Sequence, residues 1–473
     1  MSDEKERQYA DELLFRAKKA AKTLEEFNQT QVDGIVEAIY RAAFNARIEL
    51  AQAAIDETCF GVLEDKVKKN VFASLVVYRD IRDEKTVGVI ARDEARGILE
   101  VAHPVGPVLS MTPVTNPTST VINKALICLK TRNPVVFFPH RAAKKCSRLA
   151  AEICYKAARE AGAPEDCIQW ATKTKWSYCE AFMSHPAVGL ILATTAFHFV
   201  KEAHKSGTPV LGAGQGNVPV YVDVSADLEE AARAIVSSKT FDNGTVCCSE
   251  QALIVQKVSE SALRTNFQSM GGHFCTAEET VLLGRIAFDA ERGLMHSAVV
   301  GQSAKRIAEL AGFSVPENTT LLIASLERIG PEELLSHEIL APILAWYVAE
   351  DLEDAMRLCR EINAHHGQGH TLSLFTRKVG MAEAFACQLK AGRVLINTPS
   401  SLGGLGGTYN RIHPSLTLSC GGEGGNYSTD NITLQHLLNI NRIAPFDPDP
   451  IFEKIPDEAW LDPLFDTDRL SSL

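Results

Sequence analysis

The chain has 473 residues, 45% of them hydrophobic and 23% charged, and 59 acidic against 48 basic side chains give a net charge of −11. That length exceeds one ordinary core, so two or three domains are expected, and the acidic balance argues against a general binder of nucleic acid or of anionic membranes. The twelve cysteines are scattered, with no CxxC pair and no Cys/His spacing of a zinc site, so no metal is expected. The charged amino terminus lacks the apolar core of a signal peptide, and no apolar run is long enough to span a bilayer. A cytoplasmic location is therefore expected.

Residues 8 to about 84 read as helices, with apolar positions such as Ala10, Leu13, Leu14, Ala17 and Ala21 recurring at spacings of three and four. Two short strands, 86–91 and 98–102, flank a polar turn and form a long hairpin whose open edges call for a pairing partner. From about 104 the pattern alternates strand and helix. Strands are predicted at 107–111, 134–138, 167–170 and 188–192, with helices at 141–161 and 177–184, which describes a parallel, doubly wound sheet. Such sheets bind ligands beyond the carboxyl ends of their strands. A second alternation runs from Cys247 to about 415 and predicts a second α/β domain. Glycine clusters at 403–407 and 421–425 mark loops, and the Pro- and Asp-rich tail after Ala444 reads as an extended arm with little helix before 457–460.

Several segments fall where that architecture places ligands. In Phe241-Asp242-Asn243-Gly244-Thr245-Val246-Cys247-Cys248-Ser249-Glu250-Gln251, a Gly-punctuated turn delivers a thiol to the start of a strand, where it serves either as a nucleophile or as a buried structural Cys. Thr112-Pro113-Val114-Thr115-Asn116-Pro117 lies between a strand and a helix, and Asn116 there either donates to an oxyanion or caps the helix. His140 and Arg141 end the next strand, at a place suited to a ribose or phosphate or to a solvated loop. Gly212, Gly214 and Gly216, followed by Asn217, permit close approach of backbone to a ligand or make a plain turn. Glu338 in Ser336-His337-Glu338 can hold ribose hydroxyls, and His370 can move protons near neutral pH; both residue types also occur as surface or satisfied core groups.

In this order TPVTNP, PHRAAK, GAGQGNVP, FDNGTVCCSEQ, HEILAP, GHT and INTPSS resemble the CoA-acylating branch of the aldehyde dehydrogenase superfamily. The likeness is to the aldehyde dehydrogenase half of bifunctional aldehyde–alcohol dehydrogenases and to acylating succinate-semialdehyde dehydrogenases, and it runs from about Ala17 to Ala444. The resemblance implies an aldehyde dehydrogenase-like α/β fold of two doubly wound domains plus an oligomerisation β-hairpin. Residues 1–240 would form a cofactor-binding domain to which 416–445 return, with the hairpin at 86–103 inserted. Residues 241–415 would form the catalytic domain and 446–473 a carboxyl-terminal arm.

It further implies conversion of a short aldehyde, CoA and NAD or NADP to acyl-CoA, reversibly, through a Cys247 hemithioacetal and thioester, with Asn116 and His370 as further catalytic residues. Thr112, Pro113, His140, Arg141, Thr194, Thr195, Gly212, Gly214, Gly216, Asn217 and Glu338 would hold the cofactor. Hydrolytic relatives carry a Glu base where Ala213 stands here, which favours CoA over water as the second nucleophile. The chain departs from its relatives at Thr195 and Ala196, where they carry glycines, and at Glu423, where they carry Trp. Arg411, His413 and Glu423 are expected at the substrate, with an anionic aldehyde (sulfoacetaldehyde or succinate semialdehyde) or acetaldehyde as candidates. The expected partners are the aldehyde and CoA, neither nucleic acid nor membrane, and further copies of the chain in a homodimer or homotetramer. Alternative readings are a hydrolytic aldehyde dehydrogenase forming the free acid and a non-catalytic scaffold of the same fold.

Overall fold

The computed structural model describes residues 2–289, 291, 293–447 and 450–470. One compact unit comprises Met1–Glu84 and Pro104–Leu438, and a second comprises Lys85–His103 and Asn439–Leu473.

The larger unit opens with helices Ser2–Glu25, Gln29–Asn45, Arg47–Thr58 and Leu63–Val71, then a π-helical turn at Phe72–Val76 and the helix Val77–Ile81. Asn28 and Gln31 start the second helix with a reciprocal capping box, which satisfies two otherwise orphaned N–H groups. A five-stranded parallel sheet follows, in the spatial order Ile168–Trp170, Val135–Pro139, Val108–Thr112, Leu190–Ala193, Val210–Gly212. Val108–Thr112 and Val135–Pro139 are buried along their whole length, as strands covered by helices on both faces must be. The strand expected at 188–192 starts two residues later, at Leu190. Strand order reverses between Val108–Thr112 and Leu190–Ala193, so a crevice opens at the carboxyl ends of these two strands.

A seven-stranded parallel sheet holds, in spatial order, Gly272–Phe274, Leu321–Ser325, Ile343–Ala349, Glu250–Gln256, Val218–Val222, Gly369–Phe375 and Ala391–Ile396. Val218–Val222, within the range expected for the cofactor domain, pairs with Glu250–Gln256 and Gly369–Phe375 and so belongs to this second sheet. The glycine-rich stretch 213–217 is therefore the link between the last strand of the first sheet and the first strand of the second. It leaves a carboxyl end and enters an amino end, which brings opposite poles of the two sheets together.

In the smaller unit, Gly88–Asp93 and Ile98–Pro104 form the expected antiparallel hairpin, with a bulge between Val89 and Ala91. Leu438–Ile443 adds a third strand next to Ile98–Pro104, and Arg442 pairs with Glu100 at 3.0 Å. This strand falls in the stretch expected to return to the cofactor domain. The tail carries short helices at Ile451–Lys454, Asp457–Trp460 and Thr467–Leu470, the first earlier than expected. No helix among the described residues is long and apolar enough to cross a membrane.

Candidate active site

The 3-10 turn Phe241–Gly244 and the residues after it carry Cys247 to the amino end of Glu250–Gln256. Asp242, Asn243 and Gly244 all adopt left-handed backbone, with φ of 49°, 51° and 72°. For the two non-glycine residues this conformation costs on the order of 1–3 kcal/mol each, so their side chains must hold it. The Asp242 carboxylate accepts from the Val62 N–H at 2.8 Å, from Lys66 Nζ at 2.8 Å and from Lys69 Nζ, and Asn243 Nδ2 donates to the Gly301 carbonyl at 2.9 Å. At Gly244 any side chain would collide with the Ala341 backbone, since a Cβ there would lie 2.6 Å from its carbonyl oxygen.

A second clamp explains why the CCSEQ and TPSS motifs occur in one chain. Glu250 accepts from the Ser400 N–H at 2.8 Å, Ser400 Oγ donates to the Cys248 carbonyl at 2.6 Å, and Cys248 Sγ lies 3.2 Å from the Ser401 carbonyl. Cys248 is fully buried and packs against Gly404, where a Cβ would come within 2.7 Å of its sulfur. It is thus part of the wall that fixes Cys247. Burial pushes the Cys248 thiol well above its ordinary range. The half-buried Cys247 is held well below it: the neighbouring Cys248 S–H, then His370, then the Arg393 guanidinium outweigh the cost of burying a thiolate.

Asn116 immediately precedes the helix Pro117–Lys130, but its side chain does not cap that helix. Its Oδ1 accepts from Lys69 Nζ at 2.6 Å, and its Nδ2 makes two long bonds, to Thr115 Oγ1 at 3.2 Å and to the Thr245 carbonyl at 3.3 Å. Lys69 also donates to the Thr245 carbonyl and hydroxyl at 3.1 and 3.0 Å. Lys66, Lys69 and Asn70 are spaced i, i+3 and i+4 on the helix Leu63–Val71, so they share a face. That face is buried, and Asn70 Oδ1 accepts from the Thr118 hydroxyl. Two ammonium groups thus share one carboxylate, and burial lowers the Lys69 pKa to about 8. Sequence reasoning misses this cluster, because a run such as Lys66-Val67-Lys68-Lys69 on a short helix reads as a solvated face.

Glu338 Oε1 accepts from the Gly216 N–H at 3.2 Å; burial, then the charge of Cys247, push its carboxyl up to about 8. Gly216 packs on the Cys247 carbonyl so closely that a Cβ would sit 1.8 Å from its oxygen, and only glycine fits there. His370 starts Gly369–Phe375 fully buried; its Nδ1 lies 2.9 Å from Thr371 Oγ1, and its Nε2 has no hydrogen-bond partner among the described residues. Arg393, also missed, is 3% exposed and donates to the Ser419 and Thr429 carbonyls.

The carboxyl ends of the first sheet carry the other expected residues. Thr112 ends one of the two strands at the switch point and Thr194 directly follows the other, with Pro113 and Thr195 next; the Thr194 and Thr417 hydroxyls are 2.6 Å apart. Buried Lys124 bridges the same two strands, donating to the Met111 and Leu192 carbonyls at 3.0 and 2.9 Å, and burial lowers its pKa to about 7. His140 Nδ1 accepts from the Ala142 N–H at 3.2 Å, and Arg141 is exposed. Gly214 backs onto Cys420, where a Cβ would meet the sulfur at 2.2 Å.

Four expected residues stand apart from these groups. Asn217 is 1% exposed and its amide donates to the carbonyls of Ser336, His365 and Ile362, so its side chain is part of the scaffold. His413 is exposed and pairs with Asp80 at 2.9 Å, and Arg411 is exposed on the same loop. Glu423 pairs with Lys390 at 2.6 Å on the surface. Arg411, His413 and Glu423, expected at the substrate, lie exposed on their loops, where their charges need no desolvation. A cleft of about 360 Å³ lined by Arg233, Phe375, Arg377 and Asn397 lies at the carboxyl end of the second sheet, opposite Cys247. The chemistry gathers at the amino ends of that sheet, where Cys247, Glu338, Gly216 and His370 converge.

A family model described as the aldehyde dehydrogenase family matches residues 2–408. The chain belongs to the aldehyde dehydrogenase family. It is 43% identical over 452 residues to the bifunctional aldehyde-alcohol dehydrogenase of Escherichia coli, covering 95% of this chain and 50% of that protein. The chain thus spans about half the length of the aldehyde–alcohol dehydrogenases it matches. It is 33% identical to the acetylating succinate-semialdehyde dehydrogenase of Clostridium kluyveri, covering 95% of this chain and 98% of that one. An acetylating aldehyde dehydrogenase from Geobacillus thermoglucosidasius superposes with a TM-score of 0.92 at 41% identity, covering 95% of this chain and 98% of that one. A propionaldehyde dehydrogenase from Rhodopseudomonas palustris, solved with bound CoA and an acylated cysteine, superposes with a TM-score of 0.82 at 26% identity, covering 92% of this chain and 97% of that one.

Proposed function

We propose that the chain is an NAD(P)-dependent, CoA-acylating aldehyde dehydrogenase that acts on a short, uncharged aldehyde. The observation that carries this reading is Cys247, a thiol favoured as thiolate beside His370 and Arg393, with the Asn116 amide fixed against the segment that delivers it. The Cys247 thiolate adds to the aldehyde carbon. The carbonyl electron pair moves to oxygen, where the Asn116 Nδ2–H and the Cys247 N–H stabilise it. Both Asn116 Nδ2 bonds are long, so exchanging one for a bond to an oxyanion costs little. Lys69 holds Asn116 Oδ1 and thereby keeps Nδ2 turned toward the Thr245 carbonyl, on the segment that leads to Cys247. A bound nicotinamide supplies the hydride acceptor that takes the hemithioacetal to the thioester. His370 accepts the CoA thiol proton on Nε2, the CoA sulfur attacks the thioester carbon, the bond to Cys247 Sγ breaks, and the thiolate is regenerated. Ala213 offers only a buried methyl where hydrolytic members carry a base, so water is not activated there.

The dinucleotide fits the carboxyl ends of the five-stranded sheet. Thr112 Oγ1 is buried with no partner among the described residues, and Gly212 sits so close to Val200 and Asn426 that a side chain would fill the space. Thr112, Pro113, His140, Arg141, Thr194, Thr195, Gly212 and Glu338 are the residues assigned to hold it. The higher identity to the aldehyde-alcohol and acetylating aldehyde dehydrogenases, 43% and 41%, than to the succinate-semialdehyde enzyme, 33%, supports a small neutral aldehyde, and the exposure of Arg411 and His413 agrees with it. The three-stranded sheet, whose outer strands Gly88–Asp93 and Leu438–Ile443 are mostly exposed, is assigned to pairing between copies in a dimer or tetramer. The test is NAD(P)H formation from acetaldehyde, propionaldehyde and succinate semialdehyde, with and without CoA, in wild type and Cys247→Ala. Turnover that requires both CoA and Cys247 and prefers the neutral aldehydes is expected; CoA-independent steady turnover, or full activity of Cys247→Ala, would overturn the reading.

A further inference from the structure

Three imidazoles converge outside the machinery that acts on the aldehyde. His337 follows the turn Leu334–Ser336, His365 follows the helix Leu352–Ala364, and His366 comes next. One ring nitrogen from each lies within 4.8 Å of the other two. His337 Nε2 and His365 Nε2 are buried and have no hydrogen-bond partner among the described residues, which is an expensive state for a ring nitrogen unless something binds it. Burial, and after it the neighbouring rings, hold both imidazoles down at about 4.

The surroundings hold these rings in place. Phe288 stacks on His337 with centroids 4.1 Å apart. The single Asn217 amide ties the two segments together, donating to the Ser336 and His365 carbonyls at 2.8 Å each. His366 adopts a left-handed backbone, φ 70°, uncommon for a residue with a side chain and often stored at binding sites. The other His/Cys/Glu group, His273, Cys275 and Glu279, differs: His273 pairs with Glu279 at 3.0 Å and Glu279 also serves a capping box, so its atoms are already spent.

We propose that His337, His365 and His366 form a binding site for a borderline transition-metal ion of the Zn²⁺ class, with solvent as the fourth ligand on the side of the exposed His366. Three neutral nitrogens without a carboxylate suit Zn²⁺, Co²⁺ or Ni²⁺ and disfavour Mg²⁺ and Ca²⁺, which need oxygen ligands. Metal–nitrogen bonds of about 2.0–2.1 Å require the three nitrogens to close in by on the order of 1 Å, and rotation of the exposed His366 ring provides part of that movement. The ion would tie residues 336–337 to residues 365–366, next in sequence to Glu338. Cys247 takes no part in the site.

Metal-free protein is dialysed against Zn²⁺ and against Co²⁺, bound metal is counted, and the visible spectrum of the Co²⁺ form is recorded for wild type, His366→Gln and His365→Ala/His366→Ala. All three proteins keep the same twelve cysteines, so binding to thiols cancels in the comparison. Wild type should bind one equivalent more than the double variant, with a tetrahedral-type Co²⁺ spectrum and a Zn²⁺-dependent rise in Tm that excess Mg²⁺ does not reproduce. His366→Gln, a change at an exposed ring, should weaken that equivalent by more than about tenfold. Equal stoichiometry and affinity in wild type and His366→Gln, or no binding by wild type, would overturn the proposal.

Discussion

Replacing Lys69 with Met separates the contribution of the buried cluster to catalysis from its contribution to stability. Lys69 Nζ donates to Asn116 Oδ1, to the Thr245 carbonyl and hydroxyl and to the Asp242 carboxylate. Its removal leaves Lys66 and Asp242 as a one-to-one pair at 2.8 Å. Each lost charge-assisted bond costs about 1.5–3 kcal/mol, while the desolvation of one buried ammonium, several kcal/mol, is no longer incurred. The two effects oppose each other and Asp242 keeps Lys66, so the loss in unfolding free energy should stay below about 3–5 kcal/mol, the cost of leaving a buried charge unpaired. Catalysis has no such offset. Deleting an oxyanion donor costs about 10²–10³ in kcat, and releasing the anchor of that donor should cost about 10- to 100-fold, or roughly 1.4–2.7 kcal/mol. The assay is kcat for acyl-CoA formation in a double-mutant cycle with Asn116→Ala. Lys69→Met should be severe alone and change kcat by less than about threefold once Asn116 is gone. The same fold-loss in both backgrounds, or wild-type kcat in Lys69→Met, would refute the positioning role.

Glu250 supplies a pH dependence of known sign. Burial raises its pKa from 4.5 to about 7. Between those values the folded chain holds a proton that the unfolded chain has released, so this group's stabilisation is complete at low pH and is lost as pH rises through 7. Glu250→Gln keeps an acceptor for the Ser400 N–H without the titration. Its Tm relative to wild type should therefore climb from about pH 5 to about pH 8, and a constant difference would contradict the assignment. Cys248→Ala removes the S–H that favours the Cys247 thiolate; the pH profile of Cys247 alkylation, followed by peptide mass spectrometry, should move upward, and an unmoved profile would exclude that hydrogen bond. Arg411→Ala should leave kcat/KM for neutral and anionic aldehydes unchanged, since Arg411 is exposed on its loop; a selective loss for the anionic aldehyde would return Arg411 to the substrate.

Much of this was legible in the sequence because the signals were local. Short apolar runs bounded by turns located the strands of the first sheet, and Asn243-Gly244 before Cys247 marked the loop that carries the thiol. The rest depended on distant partners. Lys66 and Lys69 read as surface lysines until Asp242, some 176 and 173 positions away, is folded against them. The strand at 438–443 has weak alternation by itself and is recruited by the hairpin strand Ile98–Pro104. Thr112 and Thr194 lie at carboxyl ends of parallel strands, where the general rule expects ligands, but the link at 213–217 turns the second sheet around, so Cys247, Glu338 and His370 lie at amino ends. For His413 and Glu423 the sequence is silent, because proximity to a glycine loop says nothing about which way a loop faces; in the fold Asp80 and Lys390 pair with them at the surface.

The most direct test of the mechanism is intact and peptide mass spectrometry of the enzyme after one exposure to NAD⁺ or NADP⁺ and propionaldehyde without CoA, followed by addition of CoA. The expected result is one propionyl group on Cys247 that persists until CoA arrives and then leaves as propionyl-CoA. Free propionate released before CoA is added, or an enzyme that turns over with Cys247 never acylated, would contradict it.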